Sequence, residues 1–234
     1  MQFCDLHVHS IHSSCGFHTV LELADIMREK GAEAFALTDH GPALGTPRAH
    51  FSVLVRRLPK MVGGIRVFKG IEASIMDTGG AIDLPFWNDF PYEIVLAGIH
   101  PHDRFATAGT VGDHTRAAVN AMKNPAVRII AHPYYALYPL DMDALTDAAA
   151  ETGTALEVNN SHLLMKKADL NQLARMLELA RMKQTPIAVN SDGHVFNEVG
   201  EFDYALKAME PFGTDSFNIV NRNLESTLRF LGIE

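Results

Sequence analysis

The sequence has few cysteines, few positive charges and no long apolar run. Its 234 residues include only two cysteines, Cys4 and Cys15, which excludes a framework of several disulfides and favours a reducing compartment. The first ten residues, MQFCDLHVHS, lack the basic and apolar regions of a signal peptide, and no apolar run is long enough to cross a bilayer. These absences predict a cytoplasmic protein without membrane-spanning segments.

Negative charge exceeds positive charge, because 28 Asp and Glu residues stand against 20 Lys and Arg residues and give a formal net charge of -8. A negative surface repels long polyanions, so we do not expect nucleic acid as a partner, although a small phosphorylated molecule could bind at a local positive site. Hydrophobic residues make up 47% of the chain. This length and composition predict a single globular domain over residues 1–234, but not its oligomeric state.

Short apolar runs alternate with helical patterns along the chain. Seven of these runs have the length and the β-branched or aromatic content of buried strands. They are residues 2–6, 34–37, 65–71, 93–99, 127–131, 154–158 and 186–189. Repeated strand–helix units favour parallel strands, and the count of seven predicts an α/β fold with a closed or nearly closed barrel. A doubly wound open sheet is the alternative.

Helical spacing of apolar residues is clearest in three segments. Their apolar positions are Val20, Leu23, Ala24 and Met27; Leu170, Leu173, Ala174 and Leu177; and Leu224, Leu228 and Leu231. A capping box of Thr19 with Glu22 is expected to start the first of these helices. Residues 73–92 break the alternation, and Gly79-Gly80 within them predicts a hairpin turn.

Almost every predicted strand ends in residue types that bind metal ions. In chain order these are Asp5, His7 and His9; Asp39 and His40; Glu72; His100; His132; Asn159 and Asn160; and Asp192 and His194. Parallel strands place these ends on one rim, which carries the active site in barrel enzymes. Neutral imidazoles with a few carboxylates suit zinc, manganese or iron. The sequence therefore predicts a centre of two or three divalent ions at the C-terminal ends of the strands.

The spacing of the candidate ligands suggests how such a centre would work. His7 and His9 are two residues apart on an extended chain, so both can hold one ion, and Glu72 could bridge ions that lie ~3.5–4 Å apart. Glu72 and Asp192 are the only anionic groups in the set, so the ions would leave the pocket positive and attract phosphate. Asp5 and Asp39 are expected to orient neighbouring histidines.

The remaining histidines and the nearby cations have weaker patterns. Five histidines follow no strand and are expected in loops or on the surface: His12, His18, His50, His114 and His162. His102 could face the substrate or lie on the surface. Lys166 and Lys167 are interpreted as a solvated pair, although Lys166, Arg48 or Arg104 could bind a phosphate. Loops 41–50, 73–91 and 101–114 are expected to shape the pocket.

Six motifs together resemble the polymerase and histidinol phosphatase (PHP) superfamily. They are DLHVHS at 5–10, LTDHG at 37–41, GIEAS at 70–74, GIH at 98–100, AHP at 131–133 and NSDGH at 190–194. The resemblance is closest to the small, stand-alone phosphatase branch. It implies a distorted seven-stranded (β/α)7 TIM-like barrel, two or three metal ions and phosphoesterase chemistry. It also implies ligand roles for His7, His9, His40, Glu72, His100, His132, Asp192 and His194.

One position departs from the pattern of this branch. Cys15 stands before Gly16, where the branch has a histidine and some relatives an aspartate. A thiolate can bind zinc, so Cys15 could be a further metal ligand. Alternatively Cys15 is only a small side chain and one ion binds weakly or not at all. His12 or His18 could also substitute for the missing ligand.

The resulting hypothesis is a metal-dependent phosphatase that hydrolyses small phosphate monoesters with a metal-activated water. Histidinol phosphate is a natural candidate because of the family resemblance. His40, Asp192 and His194 are the catalytic candidates, since they are near enough in principle to protonate the leaving group. The alternatives are a nuclease or phosphodiesterase, a non-catalytic metal-stabilised module, and a metal-dependent amide hydrolase.

Overall fold

The computed structural model describes residues 3–85, 92–101 and 104–233, apart from the side chain of Arg104. Strands and helices alternate along these residues. The strands are β1 Asp5–Val8, β2 Ala34–Leu37, β3 Met61–Val62, β4 Ile65–Ser74, β5 Ile94–Gly98, β6 Val127–Ile130, β7 Ala155–Asn159 and β8 Ile187–Asn190. The α-helices are α1 Val20–Glu29, α2 Arg48–Arg57, α3 Arg104–Ala108, α4 Val111–Ala121, α5 Met142–Thr152, α6 Asn160–Leu164, α7 Leu170–Lys183, α8 Asp203–Met209 and α9 Leu224–Leu231.

Seven of the strands form a parallel sheet in the order β1-β2-β4-β5-β6-β7-β8. The two ends of this sheet meet, because Val8 forms a parallel bridge with Gly193 and the backbone N–H of Leu6 donates to Oδ1 of Asn190 at 2.9 Å. The sheet is therefore a nearly closed barrel, which confirms the predicted distorted (β/α)7 TIM-like fold. The alternative prediction, a doubly wound open sheet, is wrong.

Two strand predictions need correction. Strand β1 lies at Asp5–Val8 instead of 2–6. Its pairing with β2 runs from Asp5 opposite Phe35 to Val8 opposite Leu37, with an irregularity between them, and so continues past Leu6 towards the rim. Strand β4 extends to Ser74 because β5 pairs with its second half, and the short strand β3, which the sequence did not predict, pairs with its first residues in antiparallel orientation. The extension of β4 places Glu72 within a paired strand.

Two apolar clusters stabilise the barrel. The smaller one takes alternate residues from all seven parallel strands, for example Leu6, Phe68 and Leu96, and so fills the barrel interior. Helix α9 packs against this interior with its partly buried Leu224 and Leu228. The larger cluster lies between the outer face of the strands and the surrounding helices. No helix in the described part of the chain combines the length and the apolarity that crossing a membrane requires.

The local predictions are mostly confirmed. Helix α1 begins after the capping box of Thr19 with Glu22, where the Glu22 carboxylate accepts from the Thr19 N–H at 2.8 Å. Helix α7 has the predicted period but presents a different face, since Leu170 is 67% exposed and the buried positions are Leu173, Met176, Leu177, Leu179 and Ala180. The buried face of α7 lies on the side that packs against α5 and the core, and Leu170 is the first residue of the helix.

The predicted hairpin turn at Gly79-Gly80 is also confirmed. Ile75 pairs with Ile82 across it, and the N–H of Met76 donates to the carbonyl of Ala81 at 2.8 Å. Gly80 has a φ of +81°, in the left-handed region that favours glycine. Residues 86–91, in the second half of this predicted excursion, lie outside the described residues.

Candidate metal centre

Glu72 lies at the centre of the predicted ligands. It is buried in β4, and its Oε1 atom is 2.9 Å from Nε2 of His100 and 3.0 Å from Nε2 of His132. These histidines follow β5 and β6, so the neighbouring ends of three parallel strands bring the three side chains together. The other nitrogen of the His100 ring, Nδ1, lies 3.1 Å from the Ser74 hydroxyl, which fixes the orientation of the ring.

The second oxygen of Glu72 faces three further histidines. Its Oε2 atom is 3.2 Å from Nε2 of His7, 3.5 Å from Nε2 of His9 and 2.6 Å from Nδ1 of His40. His7 and His9 come from the end of β1, and His40 follows β2. One carboxylate is therefore shared by five imidazoles, as a group that bridges two ions would be.

Asp192 closes the cluster from the end of β8. Its Oδ1 atom lies 3.0 Å from Nε2 of His9 and 3.4 Å from Nε2 of His7. The ring of His194 stacks on that of His9 with centroids 4.3 Å apart, and its Nδ1–H donates to the backbone carbonyl of Asp192 at 2.9 Å. Asp192 has a φ of +53°, an uncommon backbone conformation for a residue other than glycine that often marks functional sites.

The donor set fits divalent cations. Nε2 of His7, Nδ1 of His40 and Oε2 of Glu72 are buried and make no hydrogen bond. Buried polar atoms without a hydrogen-bond partner are rare in folded proteins, and a bound ion can supply the missing partner. Three groups of ligand atoms lie within 4.8 Å of one another: His9, His40 and His194; His7, His9 and Glu72; and His40, Glu72 and His100. These groups could hold metal ions.

The carboxylate of Glu72 is ionised, and the imidazoles around it differ in their protonation. Burial raises the pKa of Glu72, but His7, His40 and His100 outweigh it and hold the pKa well below the usual range, so the carboxylate is ionised. Burial lowers the pKa of His100 to about 4, and burial together with the neighbouring His194 and His40 lowers that of His9 to about 3. Both rings are neutral at pH 7, as metal ligands must be. Burial also lowers the pKa of His7 and His40, but Glu157, Asp192 and Glu72 outweigh it at His7 and raise its pKa, and Glu72 outweighs it at His40 and raises the pKa to about 10. These rings would have to release a proton when an ion binds.

Cys15 also lies at this cluster. Partial burial raises the pKa of its thiol, but hydrogen bonds with His194 and His40 outweigh burial and bring the pKa to about 6. Cys15 is exposed, on the outer side of the cluster. All nine candidate ligands predicted from the sequence therefore converge on one rim of the barrel.

The structure adds a buried carboxylate that the sequence reasoning missed. Oε1 of Glu157, in β7, accepts hydrogen bonds from Nδ1 of His7 at 2.7 Å and from the side-chain amide of Asn190 at 2.9 Å. Its Oε2 accepts from the backbone N–H of His132 at 2.8 Å and from the side-chain amide of Asn159 at 2.9 Å. A glutamate within the apolar run TALEV was the signal that could have identified it.

Asp5 and Asp39 were expected to orient neighbouring histidines, and their described contacts with histidines are with the backbone N–H of His7, at 3.4 Å from Asp5, and with the ring of His50, at 2.9 Å from Asp39. Asp5 accepts from the backbone N–H groups of Ser191 and Gly200, both at 3.1 Å. Asp39 accepts from the backbone N–H of Ser10 at 2.7 Å and from the Ser10 hydroxyl at 2.8 Å. Both aspartates thus bind the backbone of loops next to the site, because those loops carry the N–H groups that lack partners in the sheet.

Two histidines that were expected in loops or on the surface are buried in helices. His162 is 5% exposed in α6, and its ring is parallel to that of His132 with centroids 4.3 Å apart. It is buried because α6 begins directly after β7 and so lies on the rim. His114 is 2% exposed in α4, and its Nε2–H donates to the carbonyl of Ala106 at 3.1 Å. Both expectations are wrong.

Of the other three, His12 and His18 lie in a loop as expected, but the expectation for His50 is wrong, because His50 lies in α2 and its side chain is 9% exposed. His12 and His18 lie in the loop between β1 and α1, and the ring of His12 stacks on that of His50 with centroids 4.3 Å apart. Nε2 of His50, near the start of α2, lies 2.9 Å from Oδ2 of Asp39. His102 lies outside the described residues, so the prediction about it is untested.

The cluster opens into a cavity of about 280 Å³. Its walls are formed by Ser14, Cys15, His40, Leu44, Glu72, His100, Pro101, His132, Tyr135, His162, Lys167, Asp192 and His194. Lys167 is the lysine on this wall, and Lys166 and Arg48 are not among the described residues that line it. Both lysines are exposed, as the interpretation of a solvated pair requires, and the turn after α6 also brings Lys167 to the rim.

Nearly the whole sequence matches the model of one protein family. The PHP domain family matches residues 5–230. The chain belongs to the PHP domain family. Two relatives of this PHP domain are each named a probable phosphatase. The one from Syntrophotalea carbinolica is 36% identical over 98% of the chain and 95% of its own length, and the one from Caldanaerobacter subterraneus is 33% identical over 97% and 90%.

Solved structures share the fold of this PHP domain. A histidinol phosphate phosphatase from Lactococcus lactis, in complex with zinc, L-histidinol and phosphate, superposes with a TM-score of 0.64 at 15% identity, over 95% of this chain and 97% of its own. A chain in an archaeal ribonuclease P complex with mature tRNA gives a TM-score of 0.56 at 14% identity, over 97% and 90%. At these identities the likeness shows the fold alone. The family and the named relatives support a hydrolase.

Proposed function

We propose that this PHP domain is a metal-dependent phosphatase that acts on small phosphate monoesters. The observation that carries the proposal is the Glu72 cluster, in which one buried carboxylate is shared by five imidazoles at the floor of a cavity. The names of the two relatives support phosphatase activity. The fold neighbour that binds zinc, L-histidinol and phosphate supports a monoester substrate, of which histidinol phosphate is one candidate.

The residues of the cluster would hold two or three divalent ions of zinc, manganese or iron. The proposed ligands are His7, His9, His40, Glu72, His100, His132, Asp192 and His194. When bound, the ions would stabilise negative charge on the phosphoryl oxygens and lower the pKa of a water molecule at the site. Among the described residues, three carboxylates contact these imidazoles. Glu72 and Asp192 do so at the site itself, and Glu157 contacts His7 from behind.

The residues on the cavity wall would bind the substrate. Lys167 is the described cation on this wall, so its ammonium group is our candidate for a contact with the phosphate. His40, Asp192 and His194 are the proposed catalytic residues, because they belong to the cluster and also line the cavity. The side chain of His194 is 24% exposed, against 15% for His40 and 9% for Asp192, so His194 is the most accessible of the three to a substrate.

The size of the cavity favours a small substrate. At about 280 Å³ it is close to the lower end of small-molecule sites, which begin at roughly 300 Å³. The net charge of -8 also disfavours a long polyanion. A small phosphorylated metabolite therefore fits better than an oligonucleotide.

The test is hydrolysis of two matched aryl phosphates by protein loaded separately with zinc, manganese or iron. We expect 4-nitrophenyl phosphate to be cleaved faster than bis(4-nitrophenyl) phosphate, and we expect a chelator or Glu72→Gln to abolish the activity. Glu151→Gln, at an exposed position on α5, is the control. Absence of monoester hydrolysis with all three metals would contradict the proposal, and faster cleavage of the diester or of a single-stranded oligonucleotide would favour a phosphodiesterase. A screen of phosphorylated metabolites would then identify the substrate.

A further inference from the structure

The cluster has an inner and an outer part that differ in their ligand atoms. Around Glu72 the side chains of His7, His100 and His132 are at most 7% exposed. The outer part consists of His9, His40, His194 and Cys15, and we call it the outer set. In it the side chains of His40 and His194 are 15% and 24% exposed and Cys15 is exposed, whereas His9 is fully buried and lies where the two parts meet. The inner part contains carboxylate oxygen, and the outer set contains sulfur.

Three rings of the outer set already have the spacing of metal ligands. One ring nitrogen each from His9, His40 and His194 lie within 4.8 Å of one another. The ring centroid of His9 is 4.4 Å from that of His40 and 4.3 Å from that of His194. Cys15 lines the same cavity wall as His40 and His194. Three imidazole nitrogens with a thiol beside them are residue types that tetrahedral zinc uses.

The backbone holds Cys15 in this place from both sides. On one side the Ser13 hydroxyl lies 3.1 Å from Nδ1 of His9 and accepts from the N–H of His40 at 2.9 Å. On the other side the N–H of Phe17 donates to the carbonyl of His194 at 3.1 Å. Gly16 allows this path, because a Cβ atom there would overlap the carbonyl oxygen of Ser10. The loop that carries the thiol is thus bound to the same histidines that the thiol faces.

We propose that Cys15 is a sulfur ligand to an ion held by His9, His40 and His194, so that the outer set is an imidazole–thiolate site that selects thiophilic ions. The proposal rests on the proposed function in that it requires metal binding at this rim. Thiolate favours zinc and cadmium, whereas carboxylate also suits manganese. The outer set therefore prefers zinc or cadmium, and the inner part around Glu72 and Asp192 accepts manganese as well.

Cobalt(II) provides a direct test, because a thiolate bound to cobalt gives a sulfur-to-metal charge-transfer band in the near ultraviolet. We expect this band in the natural protein and its loss in Cys15→Ser. Cys4→Ala is the matched control, since Cys4 is fully buried in the barrel interior and is the one other cysteine of the chain. Elemental analysis should show one zinc ion fewer per chain in Cys15→Ser, with no change in Cys4→Ala.

Alkylation by iodoacetamide gives a second readout that does not depend on activity. Zinc should protect Cys15 from modification, and a chelator should restore it. Cys4 should stay unmodified at pH 8 in both states, because burial raises the pKa of its thiol to about 11. Cys15→Asp should retain the ion but shift the preference of the outer set from cadmium towards manganese.

The results separate this proposal from the proposed function. If Cys15→Ser binds as much zinc as the natural protein and the cobalt spectrum lacks the band, the sulfur is not a ligand, whatever the phosphatase activity. If the natural protein shows the band and zinc protection but cleaves no phosphate monoester, the outer site stands and the proposed function fails. Equal reactivity of Cys15 with and without zinc would also overturn the proposal.

Discussion

Nδ1 of His7 lies 2.7 Å from Oε1 of Glu157, and both side chains are fully inaccessible to solvent. The hydrogen bond to Nδ1 fixes the ring so that Nε2 faces Oε2 of Glu72, 3.2 Å away, and Nε2 would be the atom that binds an ion. Burial raises the pKa of Glu157, but the neighbouring His7 outweighs it and lowers the pKa, so the group is a carboxylate at neutral pH. Glu157 is therefore a positioning residue for the metal centre.

Glu157→Gln should weaken metal binding although it keeps the shape of the side chain. All four partners of Glu157 donate hydrogen bonds: His7, His132, Asn159 and Asn190. A glutamine would place an amide donor against at least one of them. We expect a loss of roughly 10–100-fold in zinc affinity by calorimetry, as for other residues that support metal ligands. An affinity equal to that of the exposed control Glu151→Gln would contradict this role.

Asp192→Asn should separate the charge of this residue from its backbone conformation. Asparagine tolerates the left-handed region in which Asp192 lies, with a φ of +53°, so the loop should keep its course. The loss of the carboxylate should reduce metal affinity by more than the roughly 10–100-fold typical of a supporting residue. Asp192→Ala should add backbone strain and so lower the thermal midpoint further. A phosphatase rate unchanged in Asp192→Asn would exclude Asp192 as a ligand or catalytic group.

Removal of metal should destabilise the protein. Nε2 of His7, Nδ1 of His40 and Oε2 of Glu72 make no hydrogen bond, and an ion would supply the partner that they lack. An ion present at 100 times its dissociation constant stabilises the native state by about 2.7 kcal/mol, which corresponds to a shift of about 5–10 °C for a chain of this length. Thermal unfolding with chelator and after re-addition of zinc measures it. The same midpoint in both states would argue against ion binding at this rim.

Lys167→Gln should weaken binding of the phosphate monoester. Lys167 lines the cavity, so loss of its charge should raise KM by roughly 3- to 10-fold, about 1 kcal/mol, and change kcat less. Lys166→Gln is the matched control, because Lys166 is the neighbouring residue and does not line the cavity. Equal KM values for the two variants would show that Lys167 does not contact the phosphate.

Asp169→Ala should reduce stability without affecting the metal centre. The Asp169 carboxylate caps α7 by accepting from the N–H groups of Asn171 at 2.9 Å and Gln172 at 3.1 Å. Loss of such a cap costs about 1 kcal/mol, which urea unfolding can measure. Asp169→Asn should keep most of the stability, since asparagine is also a good capping residue. If both variants unfold alike, the cap is not what stabilises this end of the helix.

The sequence by itself determined the barrel and the set of residues at its rim. The period of two or 3.6 in the apolar residues is a local property, so seven strands and the start of α1 could be predicted from it. The histidines and carboxylates follow directly after strands, and parallel strands end on one side. Their convergence around Glu72 was therefore predictable before any contact was known. One domain over residues 1–234 and a cytoplasmic location stay predictions.

The tertiary structure alone decided which residues support the centre. His7 and Glu157 are 150 positions apart, and their contact depends on how β1 and β7 lie across the barrel interior, which no local pattern encodes. The burial of His162 also depends on tertiary structure, because α6 turns back over the rim. So does the position of Lys167, and not Lys166, on the cavity wall. Local periodicity specifies the type and face of each element, but contacts between distant elements follow from strand register and loop path, which the whole packed chain sets.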